Sequence, residues 1–151
     1  PNVWPIIEGT PAGVSLHYMD SEFDTGDIIA QQEVETNFDD TGKDLHERLE
    51  TAQFELFTRT WPEIEGGTVE ATPQSDEAGT YHTTKDFLDT CELDPEAEVQ
   101  VKEFLDRLRA LTFPPFDNAH LVIDGEKYYI DIDIRRESDD NAPEDSLLSS
   151  Y

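Results

Sequence analysis

Four carboxylates fall close together between Asp20 and Asp27, and such a group could do chemistry. The segment reads Asp20-Ser21-Glu22-Phe23-Asp24-Thr25-Gly26-Asp27. These acids could bind a divalent metal, act in proton transfer, or cap a turn. The spacing differs from that of an EF-hand calcium loop, and no glutamate stands at the closing position. On composition alone, turn-capping acids are favoured, because Asp and Gly are ordinary turn residues.

Two predicted strands flank this acidic segment. Gly13 to Met19 is rich in β-branched and aromatic residues, and Ile28 to Val34 is a second run of the same kind. The acidic segment is therefore predicted to be the loop of a strand, loop and strand unit. Ligand sites of open α/β sheets lie beyond strand ends, so this loop stands where a ligand would bind.

Hydrophobic periodicity and breaker residues predict the other elements. Apolar residues recur at helical spacing in two stretches, and Thr41 is a plausible cap for the first. Asp124-Gly125, between apolar arms, predicts a β-hairpin. The predictions are a helix over 43–59, an irregular segment over 68–94, a helix over 98–111 ended by Pro114-Pro115, a hairpin over 121–134, and a disordered acidic tail from 137.

Net charge disfavours one broad class of partner. The sequence has 36 acidic and 10 basic residues, a formal net charge of -26, which would repel a polyphosphate backbone. Generic nucleic-acid binding is therefore disfavoured. Because the acids are spread along the chain, the composition also suggests a protein kept soluble at high salt, which is a hypothesis about habitat.

Composition also bears on metals, membranes and location. Cys91 is the only cysteine, which excludes an intramolecular disulfide and a multi-cysteine metal site, and we predict no metal. With no catalytic residues beside it in the sequence, Cys91 is expected to be a small buried or half-buried residue rather than a nucleophile. No apolar run approaches the roughly 20 residues of a membrane span, so no membrane association is expected. The sequence opens on Pro1 without a signal-like segment, so we expect a cytoplasmic protein whose coding sequence begins further upstream.

The order of residues around the acidic segment is specific. Gly13-Val14-Ser15-Leu16-His17-Tyr18-Met19-Asp20 is followed by Phe23-Asp24-Thr25-Gly26-Asp27-Ile28-Ile29. Together with the preceding Pro1-Asn2-Val3-Trp4-Pro5, this resembles the closing segment of the formyltetrahydrofolate-dependent formyltransferases. The resemblance is continuous through about Gln32. It implies an α/β fold: the C-terminal part of a Rossmann-like formyltransferase domain, followed by a small α+β module with a β-hairpin.

The resemblance also implies roles for the acidic segment. Asp24 is implied to be a catalytic carboxylate that orients a histidine while the substrate amine attacks the formyl carbon. Asp20, Ser21, Glu22, Phe23 and Asp24 are implied to form the wall against which the folate lies. The family's Asn-x-His motif is expected upstream of Pro1. Asn118-Ala119-His120 has the literal pattern but stands downstream, before a hairpin, and is not expected to be catalytic.

The downstream half bears on the subfamily. The stretch from Phe104 to Phe116 and the Lys127-Tyr128-Tyr129 hairpin are similar to the short carboxyl-terminal module of sugar-nucleotide N-formyltransferases. The implied partners are formyltetrahydrofolate, as formyl donor, and a nucleotide-linked amino sugar. The alternatives are a methionyl-tRNA formyltransferase and an inactive, truncated binding module. An exposed hairpin could also pair with its copy in a homodimer.

Four residues of the downstream half are predicted to bind the substrate. His82 and Lys85 form a dense polar patch in an otherwise plain segment, and Phe113 and Phe116 could form an aromatic wall. The alternative for either phenylalanine is core packing. Arg107 and Arg109 point to different helix faces, so at most one is predicted to reach a ligand phosphate. Ion pairing with nearby acids is at least as good an interpretation.

The expected division of the chain has four parts. They are the end of the catalytic domain (1–67), a linker (68–97), a helix and hairpin module (98–136), and a disordered tail (137–151). His46 is expected at the surface of the first predicted helix. His17 is expected to pack in its strand or to bond to the backbone.

Overall fold

The computed structural model describes residues 2–21, 25–74 and 80–137. Four helices and four strands follow one another along these residues. Their bounds are α1 (Val3–Glu8), β1 (Ala12–His17), β2 (Ile28–Val34), α2 (Gly42–Glu65), α3 (Thr84–Cys91), α4 (Val101–Leu111), β3 (His120–Ile123) and β4 (Glu126–Tyr129).

The predicted strand, loop and strand unit is confirmed as an antiparallel pair. Ala12 of β1 lies opposite Val34 of β2, and the register holds until an irregularity between Leu16 and His17. Side chains alternate across the pair, so Ala12 and Val34 are buried while Gly13 and Glu33 on the other face are exposed. The buried face contacts α2, which covers both strands.

Helix α2 begins where the sequence predicts and ends later. Thr41 and Asp44 form a capping box, in which each side chain bonds to the other residue's backbone N–H. The predicted end at Arg59 is wrong, because the helix continues through Pro62 to Glu65. Proline costs one backbone hydrogen bond, and here it stands only one turn from the end, where Gly66 bonds back to the Pro62 carbonyl.

The segment predicted to be irregular contains a helix. Thr83 and Asp86 form a second capping box, and α3 follows from Thr84 to Cys91. Arg107 of α4 then satisfies carbonyls at the end of α3: its Nε donates to Thr90 O at 2.8 Å and its Nη2 to Glu92 O at 2.8 Å. A cation bonded to the last carbonyls of a helix is favourable, so α4 stabilises this short helix.

The predicted hairpin is confirmed, but its second arm is shorter. Asp124 and Gly125 adopt positive φ angles of 51° and 84°, as a tight turn between these strands requires. Pairing ends at Tyr129 rather than at 134. Ile130 N instead donates to Ala119 O at 2.9 Å, and Ile132 N donates to the Thr112 hydroxyl at 3.1 Å. The end of this arm is therefore bonded to the segment after α4.

One buried cluster joins the two halves of the described chain. The opening helix α1 was not predicted, and it packs against α4. The cluster also contains Cys91, which is buried as expected, and burial raises the pKa of its thiol. Its buried members are Val3, Ile6, Ala12, Val34, Leu45, Ala52, Cys91, Leu93, Leu108, Ala110, Leu111 and Ala119.

Candidate functional site

The acidic segment joins β1 to β2, and its ends are closed by the backbone. Tyr18 N donates to Asp27 O at 3.0 Å, one step beyond the paired strands. Thr25 Oγ1 donates to Asp20 Oδ1 at 2.7 Å across the segment. Glu22, Phe23 and Asp24 lie outside the described residues. The described residues on the two sides of 22–24 are therefore bonded to each other.

Glycine is required at position 26. A Cβ atom there would lie 1.7 Å from the carbonyl oxygen of Tyr18, which no side chain tolerates. A second segment also reaches this point: Gln74 Nε2 donates to Gly26 O at 2.6 Å. Thr72 and Ile28 exchange two backbone hydrogen bonds of 2.8 Å next to it. The loop is thus held both by its own ends and by residues 72–74.

Phe113 and Phe116 lie together, as an aromatic wall would require. Their ring centroids are 5.9 Å apart, and the His46 ring lies 5.2 Å from that of Phe113. His46 is at the helix surface as predicted, with 39% of its side chain exposed, and one side of its ring lies beside Phe113. All three border a mostly apolar cavity of about 250 Å³, whose lining is Asn2, Val3, Gly42, His46, Phe87, Ala110, Phe113, Phe116 and Asn118.

His82 is held against the opening helix. Its ring stacks on Trp4 with centroids 3.7 Å apart and planes 10° apart. Its Nε2 lies 2.8 Å from Glu8 Oε1, and Thr80 Oγ1 donates to the other oxygen of Glu8 at 3.1 Å. Lys85 is exposed and pairs with Asp89 on α3. The structure therefore does not place His82 or Lys85 on the lining of the cavity beside Phe113 and Phe116.

The two arginines of α4 have structural partners. Arg109 is buried: its Nε donates to Asp106 Oδ1 at 2.8 Å, and its Nη1 donates to the carbonyls of Asn37 and Asp40 at 3.0 Å each. Burial works to raise the pKa of Asp106, but hydrogen bonds from Lys102 and Arg109 outweigh it and lower that pKa. Ion pairing, the alternative to phosphate binding, is the observed arrangement for Arg109.

His120 and His17 each lie within hydrogen-bond distance of a backbone carbonyl. Asn118 Nδ2 donates to Leu111 O at 2.9 Å, and His120 Nδ1 lies 3.0 Å from Asn118 O, so Asn118-Ala119-His120 stabilises the entry to the hairpin. His17 Nδ1 lies 3.0 Å from the Tyr18 carbonyl, in agreement with backbone bonding.

Residues 2–21, 25–74 and 80–137 contain neither a metal-binding cluster nor a helix that could cross a membrane. These residues contain no group of three or more His, Cys, Asp or Glu side chains placed to hold a metal ion. Their helices are all too short or too polar to cross a membrane.

Sequence reasoning missed two features of the site. The contact of Gln74 with Gly26 joins residues far apart in the chain, and Gln74 lies in no periodic pattern that would mark it. The Trp4–His82 stack depends on α1, which is too short to give a helical pattern. Only Gly26 had a local signal, because Asp24-Thr25-Gly26 is typical of a tight turn.

Two family models match the chain. Residues 5–60 match the model described as formyl transferase, and residues 86–136 match the model described as N-formyltransferase dimerization C-terminal domain. The first span contains the acidic segment, and the second contains most of α3, all of α4 and the hairpin.

Named relatives match across both spans. A dTDP-4-amino-4,6-dideoxyglucose formyltransferase of Mycobacterium tuberculosis is 34% identical over 86% of this chain and 56% of its own length. A GDP-perosamine N-formyltransferase of Brucella melitensis is 37% identical over 88% of this chain and 50% of its own length. The chain thus spans about half the length of these relatives.

The chain is also similar to a solved formyltransferase structure and, over a shorter stretch, to a methionyl-tRNA formyltransferase. The crystal structure of a 4-N formyltransferase from Francisella tularensis superposes with a TM-score of 0.85 and 33% identity, covering 91% of this chain and 57% of that one. A methionyl-tRNA formyltransferase of Acetivibrio thermocellus is 35% identical over only 52% of this chain and 25% of its own length.

Proposed function

This chain belongs to the formyltransferase family, and we propose that the protein containing it transfers a formyl group from formyltetrahydrofolate to the amino group of a nucleotide-linked amino sugar. The observation that carries the proposal is the extent of the match. Two relatives named for amino-sugar substrates align over both the β1–β2 unit and the α4–hairpin module. The named methionyl-tRNA relative aligns over about half of the chain, which favours the sugar acceptor.

The proposed reaction forms one C–N bond, breaks another and transfers one proton. The amine nitrogen attacks the formyl carbon, the bond from that carbon to the folate nitrogen breaks, and one amine proton passes to the folate nitrogen. The products are a formamido sugar and tetrahydrofolate. The oxygen of the formyl group becomes more negative during attack, so donors aimed at it and a carboxylate behind a histidine would lower the barrier.

The direct test uses the full-length protein, formyltetrahydrofolate and a dTDP-linked 4-amino sugar. We expect a formamido product and an equal amount of tetrahydrofolate. The matched control is the same nucleotide sugar with a hydroxyl in place of the amine, which should give neither. An active preparation that consumes donor equally with both sugars would overturn the proposal.

We propose that the acidic segment, residues 20–27, binds and activates the formyl donor, formyltetrahydrofolate. Asp24 is the proposed catalytic carboxylate, and residues 20–24 are the proposed wall for the folate. The bonded loop ends and the required glycine support this, because they hold the described residues on both sides of residues 22–24. Asp24→Asn keeps the shape of the side chain and removes its charge, so turnover should fall at least about 100-fold. Near-full turnover would remove Asp24 from this role.

We propose that Phe113 and Phe116 bind the formyl acceptor, the nucleotide-linked amino sugar. His82 and Lys85 are further proposed contacts of this substrate. The cavity beside the two phenylalanines supports the first pair. Phe116 is 61% exposed, so Phe116→Ala should leave stability nearly intact. Loss of base stacking, about 1–3 kcal/mol, should raise the KM for the sugar nucleotide but not for folate. Phe54→Ala, on an exposed part of α2, is the matched control, and equal KM values in the two variants would refute the assignment.

We further propose a homodimer formed through the C-terminal hairpin. Val122 and Tyr129 are exposed on one face of β3 and β4, which supports such a contact. Light scattering on the full-length protein should show a dimer, and Val122→Glu with Tyr129→Glu should give a monomer. A dimer that survives both changes would exclude this face.

We keep the proposed division of the chain into residues 1–67, 68–97, 98–136 and 137–151. Helix α3 lies inside the proposed linker.

We also propose a cytoplasmic location, where a folate donor would be supplied, and a high-salt habitat. Cell fractionation tests the first, and recovery of the protein outside the cytoplasm would contradict it. The second is tested through stability in salt.

A further inference from the structure

A clamp of three side chains, Glu8, Thr80 and His82, joins the opening helix α1 to the residues before α3. One oxygen of Glu8 lies 2.8 Å from His82 Nε2, and the other accepts a 3.1 Å hydrogen bond from Thr80 Oγ1. Because a carboxylate only accepts, His82 Nε2 must donate in the first contact. The side chains of His82 and Glu8 are only 20% and 25% exposed, so salt screens this contact less than it screens a surface ion pair.

The clamp joins two walls of the cavity that is proposed to bind the sugar nucleotide. Val3, in the first turn of α1, lines one side of that cavity, and Phe87 of α3 lines another. Thr83 directly follows His82, and its carbonyl accepts a hydrogen bond from Phe87 N at 3.2 Å. A continuous series of contacts therefore leads from Glu8 to the wall formed by Phe87.

We propose that Glu8 is a positioning residue for binding of the amino sugar nucleotide, acting through His82 on the cavity wall at Phe87. The inference rests on the proposed function, in which this cavity takes the formyl acceptor. Glu8 does not itself line the cavity, so its effect is on the position of the wall. The clamp fixes the separation of α1 and α3, and that separation sets the width of the site that the substrate enters.

The two ends of α3 are held by different partners, which makes the clamp effective. Arg107 of α4 bonds to carbonyls at the carboxyl end of α3. Glu8 acts at the other end, where the chain enters the helix through His82. With that end released, α3 is free to pivot about Arg107, which moves Phe87 relative to Val3. A cavity that is open part of the time binds its ligand more weakly, because only the closed fraction is competent to bind.

The clamp requires a side chain with two acceptor oxygens. One oxygen of Glu8 faces His82, and the other accepts from Thr80. Glutamine keeps one acceptor oxygen but turns a donor amide toward the second partner, whereas methionine has a similar length and no oxygen. Glu8→Met should therefore open the clamp, and Glu8→Gln should open it in part.

The test measures steady-state kinetics of the full-length protein with formyltetrahydrofolate and a dTDP-linked 4-amino sugar. We expect the KM for the sugar nucleotide to rise about 10-fold in Glu8→Met and about 3-fold in Glu8→Gln. The KM for formyltetrahydrofolate and kcat should change less than about twofold, because weaker binding of one substrate raises only its own KM. Glu55→Met is the matched control, since it removes an exposed carboxylate on α2 and should keep wild-type kinetics.

A double-mutant cycle tests whether Glu8 acts through His82. His82→Phe keeps a ring that can stack on Trp4 and removes the donor to Glu8. The double variant, Glu8→Met with His82→Phe, should have the same sugar-nucleotide KM as each single variant, because all three lack the same contact. KM increases that multiply would overturn the proposal, since His82 would then contact the substrate independently of Glu8.

The outcomes separate this inference from the proposed function. A wild-type protein that transfers no formyl group defeats the proposed function. An active wild type, with an unchanged sugar-nucleotide KM in folded Glu8→Met and Glu8→Gln, overturns only the role of Glu8. A rise in both KM values that follows a lowered melting temperature also overturns it, because Glu8 would then be merely structural. If the methionine variant does not fold, the glutamine variant decides.

Discussion

At the scale of single residues, the buried cation Arg109 shows how the C-terminal module is fixed to the rest of the chain. It lies on α4, yet two of its hydrogen bonds reach the carbonyls of Asn37 and Asp40, just before α2. Its third bond is to Asp106, whose carboxylate would otherwise be buried with only Lys102 beside it. Its main contribution is therefore to the packing of α4 against the residues before α2.

Arg109→Met should destabilise the full-length protein by about 3 kcal/mol, because it leaves a partly compensated buried carboxylate and two carbonyls without their donor. Urea denaturation, followed by a spectroscopic signal, measures the change. Arg135→Met is the control, since Arg135 pairs with Asp133 in an exposed position and should cost less than about 0.5 kcal/mol. Equal stability of the two variants would contradict the assigned role.

The environment of a residue could be predicted from the sequence where it depends on neighbouring residues. It could not be predicted where it depends on a contact with a distant part of the chain. The burial of Cys91 could be predicted, because no catalytic residues stand beside it in the sequence. The partner of Gln74 could not be found, since a single hydrogen bond between residues 26 and 74 leaves no periodic trace in the sequence.

At the scale of elements, the two long helices and all four strands could be predicted, while the short helices could not. The apolar spacing of α2 and α4 and the Asp-Gly turn are strong local signals. α1 and α3 are only 6 and 8 residues long, so each depends on tertiary contacts more than on its own propensity. The early end of β4 has the same origin, because its continuation bonds to Thr112 and Ala119 instead of β3.

The capping box of α2 makes a prediction about pH. Hydrogen bonds from the Thr41 side chain, and then from its backbone, hold the pKa of Asp44 below its usual value. A lowered folded-state pKa contributes stability that is present above the unfolded pKa of about 3.9 and is lost as pH falls through the folded value. The melting temperature of Asp44→Asn should therefore fall less than that of the wild type between pH 6 and pH 3.

The comparison needs a variant that removes a carboxylate without removing a cap. Glu55→Gln serves, because Glu55 is exposed on the middle of the same helix. It should retain the wild-type loss of melting temperature on acidification. Parallel curves for Asp44→Asn, Glu55→Gln and wild type would show that the capping carboxylate does not contribute to acid sensitivity.

At the scale of the whole molecule, the net charge of -26 is the dominant electrostatic feature. Self-repulsion of that charge opposes compaction, and salt screens it: the Debye length falls from about 10 Å at 0.1 M to about 3 Å at 1 M. The melting temperature should accordingly rise between 0.1 and 1 M potassium chloride. The melting temperature should rise less with salt in a variant in which Glu55, Glu63 and Glu65 of α2 are changed to glutamine. A melting temperature that is flat or falls with salt in the wild type would contradict the proposed high-salt habitat.

The function of the whole protein is defined by the acceptor that receives the formyl group. The most direct measurement is the ratio of kcat/KM for a nucleotide-linked amino sugar and for charged initiator tRNA, made on the full-length protein with formyltetrahydrofolate as the common donor. We expect a preference for the amino sugar of at least about 100-fold, because the net negative charge opposes RNA and the chain aligns with amino-sugar relatives along most of its length. A preference for the charged tRNA would contradict it.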